Sequence, residues 1–238
     1  MKKFLFGLVA LYATFAFFNV GGSSAKAASS VEKSIEEAYK DAKNGITDIP
    51  NYQLRELGNS EVDSDETMKT KQYKTAQILE ENNETGDQVV VVTVFNDVVL
   101  EDETSSITPF AEFDPGASDW DSSISVQAYS RFYYTTSQTS GGTTYAKLTK
   151  VNGGWNISDS SVSLSNRIVK YGANGGSTLG SSNTTYTQNP TSNTFTYNLP
   201  SNYSAVSIDA VHFIGVTTTV TLKRGTSSVW TLKLTNNR

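Results

Sequence analysis

The sequence has no cysteine, one histidine, five prolines and two methionines among its 238 residues. Because cysteine is absent, disulfide frameworks, thiolate metal sites and cysteine nucleophiles are excluded. The single histidine, His212, excludes metal sites that need several histidines and leaves only one candidate base for a histidine-based catalytic triad. Function must therefore be sought outside the commonest catalytic and metal-binding patterns.

Residues 1–27 have the three parts of an export signal. Two lysines precede an uncharged, mainly apolar stretch of fifteen residues, and Ala25-Lys26-Ala27 matches the small-x-small pattern of a cleavage site. The apolar stretch is shorter than the about 20 residues that a membrane-spanning helix needs. The segment resembles the signal peptides of Gram-positive bacteria. It predicts a secreted, extracellular protein whose mature chain begins at Ala28 and has no stable membrane anchor.

Charge divides the mature chain on either side of residues 105–118, which lack a regular pattern. Residues 28–104 hold 18 acidic and 7 basic side chains, a net charge of −11, and residues 119–238 hold 4 acidic and 9 basic ones, a net charge of +5. Pro109 and Pro115 disfavour helix at the residues before them, so we interpret 105–118 as a linker. It separates a small acidic α+β region, or pro-segment, from a Ser/Thr-rich β domain.

Local patterns in the acidic region predict a helix and a hairpin. Ser29 and Glu32 have the spacing of a capping box, and apolar residues then recur at helical intervals as far as Asn44-Gly45. This predicts a helix over about 30–44. The β-branched run that starts at Val89 predicts a buried strand. The segment before it allows either a helix or the first strand of a hairpin, and we favour the hairpin.

Residues 119–238 alternate apolar and polar side chains in segment after segment, which is typical of antiparallel strands. Asn152-Gly153 predicts a tight hairpin, and Gly215 predicts a bulge or a sheet corner. The polar stretch 172–193 is long for a loop without function, and an edge strand is expected in it around Tyr186. The sequence predicts a mainly β protein with a C-terminal antiparallel β-sandwich, and an open β-barrel is the alternative.

Three residues of the first strand in the β domain are candidates for ligand binding. Tyr129, Arg131 and Tyr133 lie on the face opposite the apolar row. Two exposed tyrosines around an arginine would form a flat platform on which a sugar could stack. The alternatives are that these residues stabilise the sheet by cross-strand contacts, or that both faces of the strand are buried.

Oxygen ligands concentrate near the linker, where Asp114, Asp119 and Asp121 lie among serines. Calcium binds such hard oxygen ligands, so these aspartates are a candidate metal site, and no other cofactor is expected. The EF-hand pattern is broken, because Ile124 stands where that loop requires glycine. The alternative is that the aspartates form turns and cap strands.

No residue pattern supports an enzyme. His212 shares its alternation with Ile208 and Ile214, which predicts a side chain that points into the core, and there is no Gly-x-Ser-x-Gly nucleophile motif to pair with it. The cationic residues of the β domain are scattered, which argues against nucleic acid as a partner. No catalytic residue is therefore predicted.

Two functions fit these features. The first is a secreted, non-enzymatic binding or interaction protein, with a cell-surface polymer such as a polysaccharide, or another protein, as its partner. The stretch 172–193 and the exposed tyrosines would then carry the ligand. The alternative is a secreted toxin-like or membrane-active β protein, in which residues 28–104 act as an acidic pro-segment.

Overall fold

The computed structural model describes residues 28–50, 53, 60–62, 68–100, 124–177, 180–209, 212–225 and 228–238. The elements in chain order are β1 (Ala28–Ser29), α1 (Ile35–Lys43), β2 (Ser60–Val62), β3 (Met68–Glu81), β4 (Gln88–Leu100), β5 (Val126–Gln138), β6 (Thr144–Ile157), β7 (Val162–Ser177), β8 (Gly180–Gln188), β9 (Thr194–Asn198), β10 (Val206–Ser207), β11 (Phe213–Arg224) and β12 (Ser228–Asn237). Within these described residues, no helix is long and apolar enough to cross a membrane. The predicted export signal, residues 1–27, lies outside them.

The strands form two antiparallel sheets that do not close into a barrel, which confirms the mainly β sandwich rather than the open barrel. The first sheet has the order β1-β3-β4-β5-β6, with both β9 and β10 paired to β6. The second sheet has the order β2-β12-β11-β7-β8. The main hydrophobic core lies between the two sheets, because both contribute buried apolar residues to one cluster.

Strands from the acidic and the basic half of the sequence share the first sheet. β4 pairs with β3 on one side and with β5 on the other, in register from Val89 opposite Thr135 to Val98 opposite Val126. The Ser125 hydroxyl accepts a hydrogen bond from the Leu100 N–H at 3.2 Å. The predicted linker lies between these two residues in the chain, so its two flanks are close together in space. The linker itself lies outside the described residues, and its boundaries stay a prediction. The acidic strands are nevertheless part of the sandwich.

β4 is buried on both faces, and this explains its run of valines. Val90, Val92 and Val94 face the core between the sheets. Phe95 lies on the other face and packs against Ala38 of α1 and its neighbours. An alternating pattern is not required of a strand that has no face in water. The helix therefore forms a third layer on the outer side of the first sheet, and the predicted β3–β4 hairpin is confirmed.

The helix begins later than the sequence predicted. Its N-cap is Ser34, whose hydroxyl accepts from the Glu37 N–H while the Glu37 carboxylate accepts from the Ser34 N–H. The capping box predicted for Ser29 and Glu32 is therefore wrong. The end at Asn44-Gly45 is confirmed, with Asn44 as the C-cap and Gly45 at a φ of 67°. A glycine meets this left-handed conformation without steric cost.

The hairpin predicted at Asn152-Gly153 is wrong, since β6 runs through both residues. A Cβ atom added to Gly153 would lie 2.5 Å from the Tyr129 carbonyl oxygen and 2.7 Å from the Phe195 ring. This glycine is therefore needed for the close approach of neighbouring strands and not for a turn. The bulge predicted at Gly215 is also misplaced, because the register of β11 against β7 shifts between Thr219 and Thr221.

Candidate functional site

The structure places Tyr129, Arg131 and Tyr133 on the outer face of β5, but it does not expose them to solvent. Arg131 and Tyr133 have relative exposures of 4% and 3%. Tyr129 is half-buried and packs against Phe95, with ring centroids 6.3 Å apart. The exposed stacking platform expected from the sequence is therefore wrong. Residues 28–44, here called the N-terminal segment, cover this part of the sheet.

The Arg131 guanidinium fixes the N-terminal segment to the sheet. It donates to Thr93 Oγ1 at 3.1 Å, to Glu32 Oε1 at 3.0 Å and to the carbonyl oxygens of Lys33 and Ser34 at 3.0 Å each. A buried charge is costly unless it is paired and hydrogen-bonded. The N-terminal segment supplies three of these four oxygen atoms, so it satisfies the charge that β5 buries.

Tyr133 completes this polar cluster. Its hydroxyl donates to Glu32 Oε1 at 2.5 Å and accepts from Asn152 Nδ2 at 2.9 Å. The Lys150 ammonium lies 3.8 Å from the centroid of the Tyr133 ring. Burial, together with the hydrogen bond to the Glu32 carboxylate, raises the pKa of Tyr133 above its ordinary value. The phenol is therefore a neutral donor whose hydrogen bonds are made within the chain, as in a structural cluster.

The N-terminal segment is attached at further points along its length. The Gln77 amide donates to the Val31 carbonyl oxygen at 2.7 Å and accepts from the Lys33 N–H at 3.0 Å. The Tyr39 hydroxyl donates to Asp97 Oδ2 at 2.5 Å. Strands β3, β4 and β5 therefore all hold this segment, and the outer face beneath it is closed to a ligand in this conformation.

A second set of tyrosines lies in a different place, at the edge where β8 and β9 bring the two sheets together. We call this set the aromatic seam. Its members, in spatial order, are Trp155, Phe195, Tyr197, Tyr171, Tyr186 and Tyr203, and consecutive ring centroids lie between 5.4 and 6.2 Å apart. The first three rings belong to the first sheet, and Tyr171 and Tyr186 belong to the second. The seam therefore joins the sheets at this edge.

Three stacked tyrosines form the centre of the seam. The Tyr171 ring plane is inclined by 3° to that of Tyr197 and by 26° to that of Tyr186. Tyr171 is buried, whereas the two flanking residues are partly exposed. Each stacked pair contributes about 0.5–1.5 kcal/mol beyond the burial of area. The two outer rings are therefore held in fixed positions while part of their surface reaches solvent.

Tyr203 positions the strand at the edge of the seam. Its hydroxyl accepts from the Ala173 N–H and donates to the Thr184 carbonyl oxygen, both at 2.5 Å. These two residues are opposite each other on β7 and β8, so the phenol bridges the ladder there. Burial raises the pKa of Tyr203 to about 12. The hydroxyl is protonated at neutral pH and can make both bonds.

The chain around the seam is almost uncharged. Residues 160–208 contain no aspartate or glutamate and only two basic residues, Arg167 and Lys170. Exposed neutral polar side chains lie on the same strands as the aromatic rings. By alternation, Thr184 and Gln188 share the face of Tyr186, whereas Thr185, Thr187, Thr196 and Asn198 lie on the opposite faces of β8 and β9. Such side chains donate and accept hydrogen bonds without charge. Aromatic faces beside neutral polar groups suit an uncharged, polyhydroxylated ligand.

The predicted edge strand around Tyr186 is confirmed as β8, although most of the stretch 172–193 forms a β7–β8 pair instead of a loop. His212 lies just before β11 and is half-buried as a residue, but its Nε2 atom is buried, so its ring turns inward as predicted. The strand expected through this residue is interrupted because the chain crosses from β10 in the first sheet to β11 in the second.

The candidate calcium ligands Asp114, Asp119 and Asp121 lie outside the described residues. In the part of the chain that the structure describes, no group of three or more His, Asp or Glu side chains is placed to hold a metal ion. Comparison of the chain with protein-family models, curated protein sequences and solved structures gave no match. Function is therefore inferred from the chemistry of the site itself.

Proposed function

We propose that the protein is a secreted, non-enzymatic binding protein that holds a neutral cell-surface polysaccharide at the aromatic seam. The stack of Tyr186, Tyr171 and Tyr197 carries this proposal, because its outer rings are partly exposed and rigidly held. A sugar ring has an apolar face of C–H groups that packs on an aromatic ring. Its hydroxyls pair with neutral donors and acceptors such as the side chains of Thr184 and Gln188, which share the Tyr186 face of β8.

The charge distribution supports a neutral ligand. Residues 160–208 carry no carboxylate and two basic side chains, so no cluster of either sign is present to attract a strongly charged polymer. The seam offers phenol, hydroxyl and amide groups that can orient a ligand, and aromatic faces that can contact it. This composition is typical of a binding site and differs from that of a site for acid–base catalysis. The predicted export signal supports an extracellular location, where such polymers occur.

The alternative, a membrane-active β protein released from an acidic pro-segment, needs residues 28–104 to leave. β4 lies between β3 and β5, and Val90, Val92 and Val94 are part of the main core. Departure of that segment would remove core residues and leave one edge of β5 without its neighbouring strand, which argues against this alternative. Dye release from liposomes before and after cleavage within 105–118 tests it, and no leakage in either state rejects it.

The experiment that tests the proposed site is retention of the purified protein on insoluble chitin, cellulose and peptidoglycan. Tyr186→Ala and Tyr197→Ala should each weaken retention, because loss of a stacking ring costs about 0.5–1.5 kcal/mol, or roughly two- to tenfold in Kd. Tyr186→Phe and Tyr197→Phe keep the ring and should retain most of the binding. Tyr145→Ala, a partly exposed tyrosine of β6 outside the seam, is the matched control.

Circular dichroism establishes that each variant is folded. Folded alanine variants that bind all three polymers as strongly as the control would show that the seam is not the binding site. If the unmodified protein binds none of the three polymers, chitin, cellulose and peptidoglycan are rejected as its ligands.

A further inference from the structure

Among the described residues, β8 is the longest of the strands that end the two sheets. In the described residues, β8 pairs with β7 and with no strand on its other side. It has nine residues, whereas the other strands at sheet edges, β1, β2, β9 and β10, have two, three, five and two. At about 3.4 Å per residue, the edge is roughly 30 Å long. Such an edge presents a row of backbone donors and acceptors to solvent.

β8 has none of the features that usually protect an edge strand. Its sequence, Gly180–Gln188, has no charged residue and no proline, and seven of its nine residues are exposed. Its register against β7 is continuous from Gly180 opposite Ser177 to Gln188 opposite Val169, so no bulge twists it away. Native proteins normally blunt long edges by lysine, proline, bulges or short length. As far as the described residues go, this edge is available to pair with another strand.

Tyr203 shows which backbone groups face outward. The Thr184 carbonyl oxygen points toward β7, because the Tyr203 hydroxyl joins it to the Ala173 N–H. Backbone groups in an antiparallel strand alternate between its two neighbours. The N–H and C=O groups of Ser181, Asn183, Thr185 and Thr187 are therefore directed away from β7.

We propose that two copies of this chain pair through β8, antiparallel and across a two-fold axis, so that their second sheets become one continuous sheet. Asn183 of one copy then lies opposite Thr185 of the other, and Ser181 lies opposite Thr187. The two Thr184 residues face each other at the axis. A two-fold interface uses the same patch on both copies, so this patch must fit against itself. These uncharged, mostly small side chains can face copies of one another across the axis.

Charge favours a second copy as the occupant of this edge. The whole chain has a net charge of −5, but residues 160–208 contain no carboxylate, so two copies meet here without the repulsion that the acidic part of the chain would cause. Opposed hydroxyl-bearing side chains also stabilise antiparallel pairs. The dimer would carry two aromatic seams, although its formation does not rest on ligand binding.

A single introduced cysteine tests both the pairing and its register, because the chain has no cysteine of its own. Thr184→Cys places one thiol on each side of the axis, in a non-hydrogen-bonded pair with Cα atoms about 4.5 Å apart, within the range of a disulfide. We expect mild oxidation to give a covalent dimer of this variant. Thr196→Cys, at an exposed threonine of β9, should give no covalent dimer under the same conditions. Equal cross-linking of the two variants would overturn the proposal.

Sedimentation equilibrium tests the interface without cross-linking. The double variant Asn183→Lys with Thr185→Lys puts like charges directly opposite each other in two pairs, and we expect roughly tenfold weaker dimerisation. Thr194→Lys with Thr196→Lys adds the same charge to exposed threonines of β9 and should leave dimerisation unchanged. A wild-type chain that is monomeric at every concentration, or two double variants with equal dissociation constants, would overturn the proposal.

Discussion

Replacement of Arg131 by methionine should strongly destabilise the protein. The guanidinium donates to four oxygen atoms, and three of them belong to the N-terminal segment. Methionine fills much of the volume but leaves the carbonyl oxygens of Lys33 and Ser34 without this donor. Breaking a buried charge pair by removing one partner costs about 3–5 kcal/mol. The Arg131 side chain is 5% exposed and that of Glu32 is 36% exposed, so water can solvate the remaining carboxylate.

We therefore expect the free energy of unfolding to fall by about 3 kcal/mol, at the lower end of that range. Urea denaturation followed by tryptophan fluorescence measures it, with a lower midpoint and an unchanged slope. Arg131→Lys keeps the charge but lacks the planar fork of donors. Its free energy of unfolding should lie between those of the wild type and Arg131→Met. Arg167→Met is a matched control, because Arg167 is only half-buried and its guanidinium donates to the Asn193 side chain at 2.5 Å.

The location of the loss can be measured as well as its size. Amide hydrogen exchange should accelerate in residues 30–44 of Arg131→Met, because the guanidinium ties that segment to β5. A loss below about 1 kcal/mol, the scale of one ordinary hydrogen bond, would refute the reasoning. The same holds if exchange in the N-terminal segment is unchanged.

Two more predictions concern pH and chain cleavage. Burial raises the pKa of Tyr203 from an ordinary 10.0 to about 12, so the unfolded chain releases this proton at lower pH than the folded one. Its contribution to stability should be complete below pH 10 and decline by up to about 1.4 kcal/mol per pH unit between the two values. Urea denaturation at stepped pH should show a shallower decline in Tyr203→Phe, and equal slopes would contradict this. A protease site introduced within 105–118 and then cut should give two fragments that co-elute in size-exclusion chromatography, because β4 stays paired with β5. Fragments that separate without denaturant would show that this pairing does not hold the two halves together.

Alternation along β5 predicted correctly which residues share a face, but not what covers each face. Burial of the apolar row that includes Val126, Ala128 and Phe132 is confirmed. Arg131 and Tyr133 are buried as well, because Glu32, about a hundred residues earlier in the chain, lies over them. Local periodicity contains no information about such a distant contact. A charged residue in a strand predicts exposure only where no partner is brought to it.

The aromatic seam depends on strand order, which the sequence patterns did not determine. Local alternation was visible in parts of it, but Tyr171 and Tyr197 stack only because β9 lies against β7, the strand next to the edge strand β8 of the second sheet. The glycine at 153 shows the same limit. It follows asparagine, as in a tight turn, yet its role is the approach of Phe195 and Tyr129 from neighbouring strands. Turn propensity was outweighed by tertiary packing.

The most direct test of the central claim is a titration of the protein with soluble chitohexaose and cellohexaose, followed by NMR of its tyrosine ring signals. If a polysaccharide binds at the aromatic seam, the signals of Tyr186 and Tyr197 should shift together with one dissociation constant. Those of Tyr129 and Tyr133, held beneath the N-terminal segment, should remain in place. Saturable shifts at Tyr129 and Tyr133 with none at the seam would contradict the account.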